Sequence, residues 1–318
     1  MTDVQNLTIA ETEGDCRLDR YLKQQFPTLK QGQIEKWLRT GQLRVDGKRV
    51  KAGLRLQPGQ VIRIPPLIKA LETTPAPQKP KDTPLTGKEQ SLIRNTVLYQ
   101  DDDIIVINKP YGLAVQGGTK TFLHVDGLLE AFTEKDGQKP RLVHRIDKDT
   151  SGLLLLAKTL AASRFLTQAF YDRKVHKTYW ALVVGKPEKP SGLINVPIAK
   201  LSGQNGEKMA VAPENGLEAT TSYRVLQHDR NTGITLLELK PQTGRTHQLR
   251  VHCMALNTPI LGDGKYGGAK AHPLQNRTKM HLHAFKIEFT DIKGEIKSFE
   301  APLPEHMVET FKILGFFS

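Results

Sequence analysis

The stretch RLVHRIDKDTSGLLLLAK, residues 141–158, joins a dense group of ionisable side chains to an apolar run that must be buried. Between residues 144 and 149 its ionisable residues are His144, Arg145, Asp147, Lys148 and Asp149. The following Thr150, Ser151 and Gly152 are turn formers, so this part is typical of a bend before a buried strand. A turn does not require two cations beside a carboxylate, so His144, Arg145 and Asp147 call for another explanation.

The net charge of the 318-residue chain is +13, from 46 Lys and Arg against 33 Asp and Glu. The segment 16–69 contains thirteen basic and three acidic residues, which accounts for +10 of that total. Basicity concentrated in one segment indicates a polyanionic partner, with nucleic acid favoured over an anionic membrane surface.

The two cysteines, Cys16 and Cys253, lie far apart, which excludes a disulfide scaffold. The N-terminus lacks the basic and apolar regions of a signal peptide, and no apolar run approaches the ~20 residues that span a bilayer. We therefore expect a cytoplasmic protein. No heptad or long apolar stretch suggests self-association, and we expect a monomer.

The chain divides into four predicted regions: a tail over residues 1–15, a compact module over 16–69, a Pro-rich linker over 70–95 and a second domain over 96–318. In the module, apolar spacing predicts helices in CRLDRYLKQQF and QGQIEKWLRTG. LRVDGKRV predicts a hairpin about Asp46-Gly47, and GQVIRI predicts a further strand. The candidate RNA-contacting residues of the module are Lys30, Lys36, Arg39, Arg44, Lys48 and Arg49.

This order of helix, helix and V-DG-K-V turn resembles the S4 RNA-binding domain over about 50 residues. The resemblance implies a small α+β fold that binds structured RNA through shape and phosphates.

From Thr96 onward strands predominate, in TVLYQ, DIIVINK, GLLLLAK, KTYWALVVG, TTSYRVLQ, ITLLELK and HLHAFKIEF. Helices are predicted in TLAASRFLTQAFYDRK, RTHQLRVHCMALN and near EHMVETFKIL. Without regular βαβ alternation, this mixture predicts an α+β domain with a mixed, largely antiparallel sheet.

Several other chemistries fit the sequence poorly. HRxD is found in kinase catalytic loops, but the other kinase motifs are absent. DKDTSG is similar to the motif of phosphatases with an aspartyl nucleophile, although the apolar strand here follows the motif; this reading stays open. His247, His252, His281 and His283 lack the spacing and the carboxylate of a metal site, and we expect no metal. No phosphate-binding loop or dinucleotide fingerprint is present.

Four ordered segments resemble the RluA/RluC/RluD-type pseudouridine synthases. They are VINKPYGLAVQGG, RLVHRIDKDTSGLLLLAKT, KTYWALV and PQTGRTHQLRVHCMALNTPILGDGKYG, which together cover most of residues 96–290. An S4-like module before such a domain is the arrangement of the longer members that act on large-subunit ribosomal RNA, 23S in bacteria. The departures are Ile146, where Leu is usual, and Gln116, where His is common.

The resemblance implies isomerisation of uridine to pseudouridine in RNA without a cofactor. Asp147 matches the essential aspartate, which acts either as a nucleophile on C1′ or as a base that yields a glycal. Arg250 matches the arginine that pairs with this aspartate, with Arg245 as the alternative. Tyr179 matches the active-site tyrosine, although a tyrosine in an apolar strand is often only a core residue.

Arg145 matches the arginine that takes the place of a flipped base, and the alternative is a surface ion pair with Asp149. His144 and His247 are predicted to contact RNA alongside Arg145 and Arg245. A different class of function is an RNA-binding assembly factor with an inactive synthase domain. The presence of Asp147, Tyr179 and Arg250 argues against it.

Overall fold

The computed structural model describes residues 5–10, 16–26, 28–65, 84–118, 121–133, 137–203, 206–273 and 279–316. The chain forms two compact units, Met1–Pro84 and Leu85–Ser318. Within the described residues no helix is long and apolar enough to cross a bilayer.

The first unit packs two helices against a three-stranded antiparallel sheet. The helices are α1 (Leu18–Gln25) and α2 (Gln31–Thr40), and the strands, in the order β1-β3-β2, are β1 (Gln5–Thr8), β3 (Val61–Ile64) and β2 (Arg44–Val45). Both helices form where apolar spacing predicts them, because Leu18, Leu22, Ile34 and Leu38 share one core with Ile62 and Ile64. Gly41 ends α2 in the left-handed conformation, at φ 71°.

The predicted hairpin about Asp46-Gly47 is reduced to a tight turn. Both residues have positive φ, 48° and 72°, as a type I′ turn requires. Val45 forms a single bridge with Lys48, and the Asp46 carboxylate then accepts the Val61 N–H at 2.8 Å. After the turn the chain returns to the sheet only at β3, which pairs with β2, so residues 48–60 form no second strand of a tight hairpin.

Two boundaries predicted from the sequence differ in the structure. Residues 1–15 were expected to be a tail, whereas Gln5–Thr8 pairs with Val61–Ile64 as an edge strand. The linker was expected to reach residue 95, whereas Gly87–Arg94 is helix α3 of the second unit and buries Ile93 in its core. Thr86 caps this helix by accepting the Glu89 N–H, a signal that the Pro-rich composition obscured. The rest of the predicted linker, residues 70–83, lies outside the described residues.

The second unit is built on a ten-stranded sheet in the order β4-β5-β7-β14-β8-β13-β12-β9, with β6 paired to β7 and β15 to β14. The strands are β4 (Val97–Gln100), β5 (Ile104–Lys109), β6 (Arg141–Leu142), β7 (Ser151–Ala157), β8 (His176–Val184), β9 (Ser191–Asn195), β12 (Thr220–His228), β13 (Ile234–Pro241), β14 (Leu282–Thr290) and β15 (Ile296–Glu300). All of its pairings are antiparallel except that between β7 and β14. The α+β class with a mixed, largely antiparallel sheet is thus confirmed.

The remaining elements surround this sheet. A separate hairpin consists of β10 (Ile198–Gly203) and β11 (Gly206–Val211). The helices are α4 (Val125–Leu128), α5 (Leu160–Tyr171), α6 (Gln248–Ala255) and α7 (Glu305–Leu314). The seven strands and three helices predicted after Thr96 all form, while the β10–β11 hairpin was not predicted.

The turn of the opening stretch meets the core at Gly152. Every residue of β7 is buried, which explains the continuous apolar run. Gly152 has φ 106°, and a Cβ there would overlap the backbone oxygen of Ala284 on β14. Glycine is therefore required where the only parallel pairing of the described sheet begins.

Candidate active site

A pocket of about 690 Å³ opens between the turn before β7, the end of α5, strand β8 and the loop before α6. Six of the predicted site residues line it: His144, Arg145, Asp147, Tyr179, Arg245 and His247. The structure thus brings together side chains from three segments that are far apart in the sequence.

Asp147 begins the turn that presents the carboxylate. Its carbonyl oxygen accepts the Thr150 N–H at 3.1 Å, and its side chain retains 20% exposure at the pocket wall. The next carbonyl, of Lys148, accepts the Gly112 N–H at 3.0 Å and the Lys109 ammonium at 3.1 Å. The turn is therefore held from beneath by the NKPYG segment.

Lys109 is fully buried under this turn. Its ammonium donates to the carbonyl oxygens of Pro110, Leu113 and Lys148 at 2.9, 2.8 and 3.1 Å, which uses all three of its protons. Burial lowers the pKa of Lys109 to about 7, although the negative charges of Asp149 and Asp147 act to raise it. Lys109 was not among the predicted site residues, although a lysine at the end of the apolar strand IIVINK is a signal that could have identified it.

Arg250 does not pair with Asp147, which corrects the expected ion pair. Its Nε and Nη2 donate to Asp263 at 2.8 and 2.7 Å, in a bidentate pair whose side chains are 6% and 1% exposed. Burial lowers the pKa of Arg250, but the hydrogen bonds and charge of Asp263, with a smaller effect of Asp147, raise it above its ordinary value. The Arg250 guanidinium is thus paired with a carboxylate thirteen residues further along the chain. Residue spacing in the sequence alone could not reveal this contact.

Arg245, the alternative partner, also lies away from Asp147. Its Nε donates to the Glu218 carbonyl at 3.1 Å at the exposed rim of the pocket. The basic group that lies within 4.0 Å of the carboxylate, among the described residues, is His247, with Nε2 4.0 Å from Asp147 Oδ2.

His144 connects the turn to the strand that follows. Its Nε2 accepts the Leu155 N–H at 2.9 Å, and its ring stacks on Phe170 with 4.4 Å between centroids. Burial, with a smaller effect of Lys177, lowers the pKa of His144 to about 3, so the imidazole is neutral. One edge of the ring is thus engaged inside the protein, and its contact with RNA remains a prediction.

Tyr179 lies on β8 with 9% exposure and lines the same pocket as Asp147. Burial and the Asp147 charge raise the pKa of its phenol, so the hydroxyl keeps its proton. Within the described part of the chain this hydroxyl has no hydrogen-bond partner, which leaves it available to a bound molecule.

Arg145 is exposed at the pocket mouth. The surface ion pair with Asp149, which was its alternative explanation, does not form between these two described residues. The Arg145 side chain is therefore not held in place by Asp149.

Comparison with known proteins agrees with these motifs. A sequence model described as RNA pseudouridylate synthase matches residues 103–255, and an S4 domain model matches residues 16–62. The chain is 42% identical over 298 residues to ribosomal large subunit pseudouridine synthase C of Rickettsia conorii, covering 92% of this chain and 95% of that protein. The chain belongs to the RNA pseudouridylate synthase family.

Further relatives extend over similar lengths. Ribosomal large subunit pseudouridine synthase C of Vibrio cholerae is 36% identical over 313 residues, covering 96% of this chain and 95% of its own. Among solved structures, Human RNA Pseudouridylate Synthase Domain Containing 4 superposes with a TM-score of 0.60 at 29% identity, covering 72% of this chain and 97% of that one. The resemblance inferred from the four motifs and from the S4-like module is confirmed.

In this synthase chain the basic residues of the S4 domain differ in their surroundings. Five are exposed: Lys30, Lys36, Arg39, Lys48 and Arg49. Arg44 instead donates to the carbonyl oxygens of Gly41 and Gly47 at 3.0 and 3.2 Å, and so holds the Asp46-Gly47 turn. Arg44 therefore has a structural role that the sequence analysis did not foresee.

Of the four histidines weighed as metal ligands, His252, His281 and His283 are buried and hydrogen-bonded in the synthase domain, whereas His247 lines the pocket. His283 contacts Ser151 Oγ at 2.9 Å and the Ala301 carbonyl at 3.2 Å, and His252 contacts Thr221 Oγ1 at 2.9 Å. No group of metal-ligating side chains occurs among the described residues.

Proposed function

We propose that this chain isomerises uridine to pseudouridine in large-subunit ribosomal RNA. The proposal rests on the observation that the Asp147 carboxylate and the free Tyr179 hydroxyl lie in the same pocket. The proposed substrate, the RNA of the large ribosomal subunit, follows the names of the relatives from Rickettsia conorii and Vibrio cholerae, which are ribosomal large subunit pseudouridine synthases.

The reaction conserves the atoms of the nucleoside. The N1–C1′ bond breaks, the uracil turns within the pocket, C5 bonds to C1′, and the C5 proton leaves while N1 gains one. Asp147 supplies the anionic group, either by attacking C1′ or by removing a ribose proton to give a glycal. Neither route requires an external oxidant, reductant or energy source.

Tyr179 and Arg145 complete the proposed roles. The Tyr179 ring stacks on the uracil, and its protonated hydroxyl lies where it can assist transfer of the C5 proton. A stacked base cannot reach an enclosed carboxylate, so the uridine is flipped out. Arg145, which is exposed at the mouth and forms no ion pair with the described carboxylates, fills the vacated position and contacts phosphate.

The contacts that seat the RNA come from both units. Arg245, His247 and His144 line the pocket beside Asp147, and the exposed S4 residues supply phosphate contacts. Arg250 acts through Asp263 rather than on the substrate. We further propose that the protein is cytoplasmic and acts as a monomer. Sedimentation of the purified protein with and without RNA would test whether it is a monomer.

The decisive test is release of tritium from RNA labelled at uracil C5. We expect Asp147→Asn to abolish release while its RNA affinity stays within about threefold of the wild type. Asp149→Asn, a change of the other carboxylate in the same turn, is the matched control and should retain release. Normal release by Asp147→Asn would refute the assignment.

The same assay separates the other functions. An inactive assembly factor would give no release from the wild type. An aspartyl phosphatase would depend on magnesium, whereas the proposed synthase should act in excess chelator.

A further inference from the structure

A series of short contacts runs from the β10–β11 hairpin to the candidate carboxylate. The Met209 N–H on β11 donates to the Tyr266 hydroxyl oxygen at 3.2 Å. That oxygen is 2.6 Å from Nδ1 of His247, and Nε2 of the same ring is 4.0 Å from Asp147 Oδ2. Neither Met209 nor Tyr266 lines the pocket, so these contacts reach the carboxylate from behind its wall.

The direction of the protons follows from the first donor. A backbone N–H only donates, so the Tyr266 oxygen accepts from Met209. The phenolic proton then needs an acceptor, and the described residues provide His247 Nδ1 and no other. The separation of 2.6 Å is short for an N–H donor and ordinary for an O–H donor. Nδ1 is therefore the acceptor, and the proton of the neutral ring lies on Nε2, which faces Asp147.

The backbone fixes where this ring points. His247 precedes α6 with φ 53° and ψ 21°, a left-handed conformation that is uncommon for any residue other than glycine. Gln248 holds the same loop, since its Oε1 accepts the Arg245 N–H at 3.0 Å and the Thr243 hydroxyl at 2.7 Å. A strained residue held by its surroundings is a common feature of functional sites.

The buried Arg250–Asp263 pair holds Tyr266. Asp263 Oδ1 accepts the Tyr266 N–H at 3.2 Å, and the Arg250 guanidinium carbon lies 4.9 Å from the centroid of the Tyr266 ring. The guanidinium thus contacts both the carboxylate and the aromatic face. This explains why Arg250 is engaged away from Asp147 yet belongs to the same group of residues.

We propose that Tyr266, supported by the Arg250–Asp263 pair, is a positioning residue that holds His247 as its Nε2–H tautomer, with that proton directed at the Asp147 carboxylate. At 4.0 Å the contact in the free protein is longer than a hydrogen bond, and it shortens or is bridged by water when RNA fills the pocket. The proposal depends on the proposed function only for its effect on catalysis.

The surroundings of His247 favour the neutral form of its ring. Burial lowers its pKa, and Arg250 and Lys265 act in the same direction, while Asp147 and Asp263 oppose them. The Tyr266 hydrogen bond adds to this, since protonation of Nδ1 would require the hydroxyl to give up its acceptor.

The test reads the tautomer directly. Long-range ¹H–¹⁵N correlation spectra of the full-length protein labelled with [¹⁵N]histidine distinguish the two ring nitrogens, and loss of one signal set in His247→Gln assigns this residue. We expect a protonated Nε2 and an unprotonated Nδ1 at neutral pH. A proton on Nδ1, or on both nitrogens, would overturn the proposal without any measurement of activity.

Tyr266→Phe tests the role of the hydroxyl. We expect the pKa of His247, measured by titrating the same signals, to rise because Nδ1 loses its donor. We also expect kcat for tritium release to fall about three- to tenfold, the value of one hydrogen bond, with little change in KM. An unchanged His247 pKa would rule out this role for Tyr266.

Tyr223→Phe is the matched control. Tyr223 and Tyr266 are similarly buried, at 8% and 9% exposure, and the Tyr223 hydroxyl donates to the Lys189 carbonyl at 3.4 Å away from the pocket. The control should leave the His247 titration unchanged. If Asp147→Asn keeps its activity, the proposed function fails, whereas the assignment of the tautomer is decided by the spectra alone.

Discussion

The Lys109 ammonium donates to the Lys148 carbonyl oxygen at 3.1 Å, directly beneath the turn that begins at Asp147. Because Lys109 also donates to Pro110 and Leu113, one buried cation connects the NKPYG segment to the turn. The carboxylate position thus depends on a residue that does not line the pocket.

Lys109→Met should destabilise the protein by about 2–4 kcal/mol, because one buried and two partly buried carbonyl groups lose their charged donor. We expect activity to fall as well, since the turn is no longer held. Urea unfolding measures the first effect and tritium release the second. Lys139→Met is a control, because Lys139 forms only a partly exposed ion pair with Glu130. A Lys109→Met variant with unchanged stability would contradict this account.

Arg250 and Asp263 should show strong thermodynamic coupling. In a double-mutant cycle with Arg250→Met and Asp263→Asn, we expect a coupling energy of about 3 kcal/mol, because either single change leaves a buried charge unpaired. A parallel cycle with Arg250→Met and Asp147→Asn should give less than about 1 kcal/mol. A larger coupling energy between Arg250 and Asp147 than between Arg250 and Asp263 would support the ion pair expected from the sequence. The free energy of unfolding in urea provides every value.

The difference between these two pairings shows what the sequence could and could not predict. Periodicity and turn residues act locally, so the strands, the main helices and the turn at Asp147 were predictable. The resemblance also implied that Asp147 and Tyr179 belong to one active site, and it gave His247 only as a residue that contacts RNA. The partner of Arg250 depends on how the GDGKYG loop folds back on α6, a tertiary contact that no local pattern encodes. The helix at 87–94 was missed because four prolines dominate the composition of the linker before it.

Acid should destabilise the protein through its buried histidines. The folded-state pKa of His144 is about 3, and those of His281 and His283 are about 4, all because burial disfavours the charged ring. Unfolded histidines bind protons near pH 6.5, so the unfolded state holds more protons between that pH and about 3. The free energy of unfolding should therefore fall as pH decreases through this window.

His144→Gln tests the contribution of one ring. The amide oxygen can still accept the Leu155 N–H but does not titrate. Relative to the wild type, the variant should lose less stability between pH 6.5 and 4. Urea unfolding at several pH values measures this slope, and equal slopes would indicate that His144 is protonated in the folded state.

The exposed basic residues of the S4 domain should set the salt dependence of RNA binding. Each phosphate contact that is lost lowers the slope of log K against log salt by about 0.7–0.9. Lys36→Ala/Arg39→Ala on α2 should therefore reduce the slope by about 1.5 and weaken binding at low salt. Filter binding with a ribosomal RNA fragment over a range of salt concentrations measures both quantities.

A matched pair on α1 distinguishes a local contact from a general effect of charge. Arg20→Ala/Lys23→Ala removes the same charge from exposed positions of the same domain. If α2 supplies the phosphate contacts, this control should change the slope by less than about 0.5. Equal changes in the two variants would mean that net charge, rather than the α2 surface, attracts the RNA.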